Sequence, residues 1–310
     1  MRSILTPTLL ALSFSLATPA RAGVPNLAAS TATTTALGPS AERPGKIGEL
    51  HHVVLRVDGT DAFVHRVTGL GAATGGAPPE GDTGTYGAST PIQLELGLGA
   101  LQKKKNGLPW VTGFLAGEVS TRNASIKMAD LEGDVRRSID LVDASILEVE
   151  LPGGNASEQA PATARVRLQS QQTVLSNRAE IVGSAAASNP LLLSNFRFSS
   201  DGLDARRVAA VSSVTIRKAG NATTVSDLEV TIVGGEIDET LAWAHGRSGS
   251  AIKARLEYRD PAGTKTLATT TYTGVVFKSF ELPDFAFGAP RAPALDRVIL
   301  RFSVEAVSVK

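Results

Sequence analysis

The chain of 310 residues contains no cysteine, and this absence excludes several kinds of site. Without thiols there are no disulfide frameworks, no thiolate nucleophiles, no cysteine-ligated zinc sites and no iron–sulfur clusters. Only four histidines remain for acid–base or metal chemistry, and aromatic residues make up 5% of the chain. The composition therefore favours a protein that works through shape and contact rather than through catalysis.

Charge of either sign is not in excess. Lys and Arg number 31 against 30 Asp and Glu, which gives a formal net charge of +1. This balance excludes a broad electrostatic grip on nucleic acid or anionic lipid, so we predict no nucleic-acid partner. Hydrophobic residues make up 42% of the chain, which is enough for a buried core. At about 100–200 residues per domain, the length predicts two domains.

The first 22 residues have the three parts of a secretory signal peptide. Arg2 supplies a positive start, an apolar run follows over residues 4–17, and Ala-Arg-Ala at 20–22 forms a small-x-small cleavage site. The apolar run is too short for a membrane-spanning helix, which needs about 20 residues, and no later stretch is long and apolar enough. We therefore predict an exported protein, periplasmic or extracellular, without membrane insertion. A buried N-terminal helix is the alternative.

Residues 23–47 are rich in Ala, Ser, Thr, Gly and Pro and lack sustained periodicity. Such a composition predicts a flexible leader, or else an arm that orders on a neighbouring subunit.

Period-two alternation, the pattern of half-buried strands, dominates the chain beyond residue 50. The clearest case is the run from Val298 to Val304. Two segments, 109–115 and 237–245, instead have apolar residues at helical spacing. We therefore predict an all-β fold with one short helix per domain. Trp110 and Trp243 are the expected apolar anchors of these helices.

The same features recur in the same order in both halves of the chain. Trp110 and Trp243 are followed by a Leu-Pro step after 41 and 39 residues. Between the tryptophan and the Leu-Pro step lie the similar segments 124–133 and 254–263, each predicted as a strand with an Asp-x-x-Gly turn. Each half then ends in an alternating strand, predicted over 165–174 and 298–309. This order predicts an internal duplication.

The duplication divides the chain into two tandem antiparallel β-barrel or β-sandwich domains. We place the first at residues 48–183 and the second at 191–310. The small, polar segment 184–190 is the predicted linker.

The histidines form no pattern that would bind a metal. His51 and His52 are neighbours, and neighbouring residues on a strand point to opposite faces. His65 and His245 are isolated and have no spacing such as His-x-x-x-His. We predict no metal-binding residues.

Two loop segments invite a phosphate-binding interpretation that their surroundings do not support. The glycine-rich run at 69–76 lacks the Gly-Lys-Ser/Thr and the helix of a phosphate-binding loop. Lys103–Lys105 is a short basic run without interleaved aromatic residues. We predict solvated loops and no cofactor.

Paired carboxylates are the only residues here that suit an enzyme. Glu148 and Glu150 should share one face of a strand, and Asp238 and Glu239 lie in the first turn of a helix. Two carboxylates on one face can serve glycoside hydrolysis, although such residues usually form the solvated side of a sheet. A hydrolase centred on Glu148 and Glu150 therefore remains as a further hypothesis, ranked below the two given at the end of this section. Our prediction is that the protein is not an enzyme and has no catalytic residues.

The order of features resembles the tail tube proteins of contractile phages and the tube subunit of type VI secretion systems. The family's first strand is matched by residues 53–59, its segment ending in V-x-G-L by 63–70, and its extended strand by 91–99. The tryptophan helix, the Asp/Gly turn, the Leu-Pro step and the closing strand follow. In the second half the match runs through 196–198, 211–216 and 228–233, followed by Trp243 and Leu282-Pro283.

This resemblance implies barrel domains that assemble through strand edges into six-membered rings and stacked tubes, without catalytic residues. Family members are usually single domains, whereas this chain carries two. We therefore expect a homo-oligomer in which three chains close a pseudo-sixfold ring.

The leading hypothesis is a non-enzymatic, exported structural protein that self-associates through its barrel edges. The alternative is a secreted β-sandwich binding module that recognises an envelope or extracellular ligand through loops such as 69–84 and 101–107.

Overall fold

The computed structural model of the chain describes nine ranges of residues. These are 52–70, 84–102, 107–176, 180–182, 191–203, 205–220, 222–234, 237–282 and 297–310. The predicted signal peptide, leader and linker lie outside these ranges and stay predictions.

Strands dominate both halves of the chain. The strands of the first half are β1 (His52–Val57), β2 (Thr60–Thr68), β3 (Thr85–Tyr86), β4 (Ile92–Gly97), β5 (Arg122–Ala129), β6 (Val135–Leu151), β7 (Gly154–Asn155), β8 (Thr163–Gln169) and β9 (Gln172–Ser176). Those of the second half are β10 (Phe196–Ser200), β11 (Val208–Val211), β12 (Val214–Ala219), β13 (Ala222–Val225), β14 (Leu228–Val233), β15 (Ile252–Arg259), β16 (Thr266–Glu281), β17 (Arg297–Ser303) and β18 (Ala306–Val309).

Each half carries one α-helix, α1 (Pro109–Leu115) in the first and α2 (Ile237–Gly246) in the second. The helical spacing in the sequence predicted both. Short 3-10 turns occur at Leu98–Leu101 and Ala205–Arg207. The predicted all-β class with one short helix per domain is confirmed, and the strands form two barrel-like sheets. Neither α-helix has the length and apolarity to cross a bilayer, which is a finding for the described residues.

The first sheet closes on itself. Its pairing order runs β6, β5, β1, β2, β4, β8 and back to β6, all antiparallel. Closure is possible because β6 is 17 residues long. Its N-terminal part pairs with β5, and its C-terminal part pairs with β8 on the other side. We call this ring of six strands the first barrel; closure removes the unpaired edges of a flat sheet.

The second sheet has the same order but is not closed by its own strands. It runs β10, β15, β16, β17, β14 and β11, with β18 beside β16. The described strands β10 and β11 do not pair with each other. Instead β7, from the first half, pairs with β11, and the Asn155 N–H donates to the Leu193 carbonyl just before β10, at 2.9 Å. We call this sheet the second barrel.

The two sheets share one pairing order. Strands β1, β2, β4, β5, β6, β8 and β9 correspond to β10, β11, β14, β15, β16, β17 and β18, and α1 corresponds to α2. Even a β-bulge recurs. The register of β6 shifts between Ile146 and Glu148, and that of β16 shifts between Phe277 and Ser279.

The predicted Asp-x-x-Gly turns are also present in both halves. The Asp130 carboxylate accepts the Asp134 backbone N–H at 2.9 Å, and that of Asp260 accepts the Thr264 N–H at 2.7 Å. Each turn ends on a glycine in the left-handed region, with φ of 88° and 68°. Glycine adopts this conformation without the strain that a Cβ brings.

The two halves exchange strands. The hairpin β12–β13 of the second half pairs with the C-terminal part of β6, and β7 of the first half pairs with β11. Helix α1 packs near β18 of the second half. One hydrophobic core runs through both halves, and their described residues belong to one compact unit. The boundary between the predicted domains is not tested by these contacts.

The closing strands differ from their prediction. We expected continuous strands over 165–174 and 298–309, but each is interrupted, at Ser170–Gln171 and at Val304–Glu305. The interruptions let the second pieces, β9 and β18, pair with a different part of β6 and β16. The sequence does mark both breaks. Residues 170–173 are all polar, and the alternating apolar positions shift by one residue between Val304 and Val307.

The two tryptophans are not equally buried. Trp110 is buried, and its indole N–H donates to the Ser120 carbonyl at 3.0 Å. Trp243 is half-buried; its N–H donates to the Asp201 carbonyl at 2.8 Å, and its ring meets Phe302 edge-on. Helix α1 is covered by elements of both halves, whereas α2 lies mainly against its own barrel. The expected anchor role holds fully for Trp110 and in part for Trp243.

The chain passes from β6 of the first half to β7, which pairs with the second half, through two tightly packed glycines. A Cβ on Gly153 would overlap the Val211 carbonyl oxygen, and one on Gly154 would lie 2.5 Å from the Phe196 ring. We expect Gly153→Ala to lower the free energy of unfolding by about 1–3 kcal/mol, because backbone must move to relieve the overlap. Gly99→Ala, which meets nothing within 4 Å, is the control. Urea denaturation measures the stability of both variants. If the Gly153→Ala and Gly99→Ala variants are equally stable, the close backbone packing at Gly153 is contradicted.

A buried hydroxyl ties the halves at the same place. The Tyr258 hydroxyl lies 2.8 Å from both the Pro152 and Gly153 carbonyl oxygens. The equally buried Tyr272 hydroxyl has no hydrogen-bond partner among the described residues.

Replacing each tyrosine by phenylalanine gives two variants that can be compared directly, because each loses one buried hydroxyl. Tyr258→Phe leaves buried carbonyls without their donor and should cost about 1–3 kcal/mol of unfolding free energy. Tyr272→Phe removes an unsatisfied polar atom and should be neutral or stabilising. Thermal or urea unfolding measures the difference. The reverse order of stabilities would show that the junction hydrogen bond contributes nothing.

Candidate functional site

A groove lies where the two halves meet. It has a volume of about 410 Å³ and an open mouth. Its polar lining includes His65, Glu95, Glu150, Glu158 and Arg165. The Arg165 guanidinium bridges two carboxylates, at 3.6 Å from Glu95 and 3.3 Å from Glu150. Arg165 of β8 thus links β4 and β6 by ion pairs at the groove.

The predicted carboxylate pair is present but bound to arginines. Glu148 and Glu150 lie two residues apart on β6, as the alternation predicted. Arg217 of β12 contacts Glu148 at 2.7 Å, and Arg165 of β8 contacts Glu150 at 3.3 Å. Each carboxylate therefore forms an ion pair with an arginine of a neighbouring strand. The pair connects three strands, and this arrangement favours a structural role.

The second acidic pair has no described constellation around it. Glu239 is exposed on α2, and the side chain of Asp238 lies outside the described part of the structure.

The histidines lie apart from one another. His52 meets the Phe63 ring edge-on, His245 meets Phe277 and Phe280, and His65 is exposed at the groove. His51 lies outside the described residues. Within the described ranges, no group of three or more His, Asp or Glu side chains could hold a metal ion.

The loops considered for phosphate or ligand binding are described only at their ends. Residues 71–83 and 103–106, which include most of the glycine-rich run and Lys103–Lys105, lie outside the described ranges. Gly69 has a φ of 82°, and a Cβ there would lie 2.5 Å from the Pro91 carbonyl oxygen. A residue without a Cβ is therefore needed at position 69, because the backbone there passes close to that of Pro91.

An ionic cluster on the outside of the first barrel was not predicted. Arg56 of β1 contacts both Asp61 and Glu180, and Lys127 of β5 also contacts Glu180. Next to it, Val182 packs with Val54 and two other residues in a small separate core. The cluster fastens residues 180–182 to the barrel wall. Its members are far apart in sequence, so no motif announces it.

Unpaired strand edges are the second feature that sequence reasoning did not locate. Among the described strands, the outer edge of β13 has no partner, and its first three residues are exposed. The last residues of β16 pair with β17 on one side, and on their other side they lack a partner strand within the described ranges. Such edges present free backbone N–H and C=O groups, which pair readily with another chain.

No family model matches the chain, and no similar protein is found among curated proteins.

The ionic cluster makes stability depend on pH. The hydrogen bond from Lys127, assisted by Arg56, holds the pKa of Glu180 below its usual value against the opposing effect of desolvation. A carboxyl with a lowered pKa stabilises the fold above its unfolded pKa, and this stabilisation is lost as pH falls through the folded pKa.

Glu180→Gln should therefore destabilise the protein at pH 7, and the difference from the wild type should shrink below about pH 4.5. Glu132→Gln, at an exposed turn position, is the control and should change little at either pH. Urea midpoints at pH 7 and pH 3 give the comparison. A difference that is constant with pH would show that the cluster does not hold Glu180 ionised.

Proposed function

We propose that this chain is a non-enzymatic, exported structural subunit that self-associates through strand edges of its barrels into rings or tubes. The proposal agrees with the resemblance to phage and type VI tube subunits. With two barrels per chain, three chains supply the six positions of a pseudo-sixfold ring.

The observation that carries the proposal is the joint between the two barrels of one chain. The β12–β13 hairpin of the second half extends the edge of β6 by antiparallel pairing from Val214 to Arg217. Arg217 adds an ion pair to Glu148. The chain thus already joins barrel to barrel by adding strands to an edge, which is the contact that would join chain to chain.

The remaining edges give this type of contact somewhere to continue. The exposed outer edge of β13 consists of Ala222, Thr223 and Thr224, small or β-branched residues that suit a paired strand. The edge carries no proline or charge that would block pairing. Many exposed edges are protected by such residues, so an unprotected edge favours a partner.

The ion-paired carboxylates favour this function over the hydrolase hypothesis. The binding-module alternative depends on loops 69–84 and 101–107, and no described contact favours it.

Self-association is testable on the purified chain. Light scattering and mass photometry, from nanomolar to tens of micromolar, should show a species with three times the mass of the single chain, together with stacks of it. Negative-stain electron microscopy should show rings. Burial of strand edges predicts that association persists at 0.5 M salt, where surface ion pairs are largely screened. A monomer at every concentration and salt would contradict the proposed function.

A further inference from the structure

The repeat allows equivalent positions in the two barrels to be compared residue by residue. Val149 on β6 faces Val166 on β8, and Phe280 on β16 faces Leu300 on β17. Each pair follows the shared β-bulge by the same number of residues, so Val149 and Phe280 are equivalent. Two residues later, Leu151 and Leu282 are equivalent in turn.

In the first barrel these positions are covered. Hairpin β12–β13 pairs with this part of β6, with Ile216 opposite Val149 and Val214 opposite Leu151. As a result Val149 and Leu151 are both 0% exposed. Lys218, next on the hairpin, lies 4.8 Å over the Phe114 ring of α1 and donates to the Glu118 carbonyl. The hairpin therefore covers both the strand edge and the end of the neighbouring helix.

In the second barrel the equivalent positions are open. Phe280 and Leu282 are each 37% exposed. No described strand pairs with residues 279–282 on the side opposite β17. The equivalent helix end is present, since His245 near the C-terminus of α2 meets the Phe280 ring edge-on at 6.1 Å. We call residues 279–282 with His245 the open end of β16.

We propose that the first half of a second copy of this chain covers the open end of β16, as the β12–β13 hairpin covers the end of β6. In the chain, the covering hairpin lies in the connection between β11 and β14. Its counterpart in the first half is the connection between β2 and β4. This inference rests on the proposed function and gives the association a direction, from the first half of one copy to the second half of the next.

Such a contact is heterologous, because different surfaces of the two copies meet. Heterologous contacts produce closed rings when the rotation closes and open filaments when it does not. The proposed pairing also explains why Phe280 and Leu282 are apolar although more than a third of each residue is exposed. Large apolar side chains at an unpaired edge promote association.

A charge at the open end tests the proposal. Phe280→Glu and, separately, Leu282→Lys should raise the dissociation constant of the assembly more than tenfold. Leu131→Glu, on a turn of the first barrel where Leu131 is 61% exposed, should leave it unchanged. Light scattering against concentration gives the constants, and circular dichroism with urea unfolding shows whether each variant folds.

A photo-cross-link identifies the occupant directly. Because the chain has no cysteine, Leu282→Cys provides a single thiol for a benzophenone label. In a mixture of ¹⁴N and ¹⁵N chains, we expect mixed-isotope cross-links to peptides of the first half. Cross-links to residues 283–296 of the same copy would show that the chain covers its own open end and would overturn the inference.

The results separate the two proposals. If the wild type is a monomer throughout, the proposed function fails. If the wild type associates and the folded Phe280→Glu and Leu282→Lys variants associate equally well, or cross-links join second half to second half, this inference alone fails.

Discussion

The arrangement of the whole molecule depends on strand β6, which no single neighbour covers along its length. Over its N-terminal part it lies between β5 and β9, and over its C-terminal part between β8 and β12. At about 3.4 Å per residue, a strand of 17 residues is long enough to pair with β5 and β9 over one part, and with β8 and the hairpin of the other half over the next. Barrel closure and the joint between the halves are therefore two consequences of one strand.

The exchange runs in both directions, and this has an energetic consequence. The second half supplies β12–β13 to the first barrel, while the first half supplies β7 to the gap in the second. The first barrel closes with its own strands, but the hairpin of the other half covers the edge of its β6. The second barrel is bridged by β7, which follows β6 through the close packing at Gly153. The buried Tyr258 hydroxyl accompanies the same crossing. The halves should therefore unfold together rather than as two independent units.

Much of the fold could be predicted from the sequence, because periodicity reports which side chains are buried. The alternation of Val298 to Val304 gave the right face, and the two helices begin where their spacing changes. Sheet membership could not be predicted in this way. The period-two pattern of β12 fixes its inward face but says nothing about which neighbour it pairs with, and it joined the other sheet. Strand β7 has only two residues and carries no pattern. The glycines at 153, just before it, and at 154, within it, are the only signal of a close backbone packing.

The same distinction applies to the functional residues. Alternation correctly placed Glu148 and Glu150 on one face of a strand. It could not supply their partners, since Arg217 comes from the exchanged hairpin and Arg165 from β8. Glu180, whose contacts with Arg56 and Lys127 join distant segments, was missed for the same reason. Local pattern identifies side chains that can interact, and long-range pairing decides what they interact with.

The two barrels share a strand order but differ in how their edges are covered. Two identical barrels would present identical edges, and each edge would accept any other, so pairing would have no direction. Here β1 pairs with β2 in the first barrel and the end of its β6 is covered, whereas β7 bridges the second barrel and no described strand covers the end of β16. In the proposed assembly, this difference would give the contact between copies a direction. Directional contacts are what an assembly needs in order to grow by a repeated step.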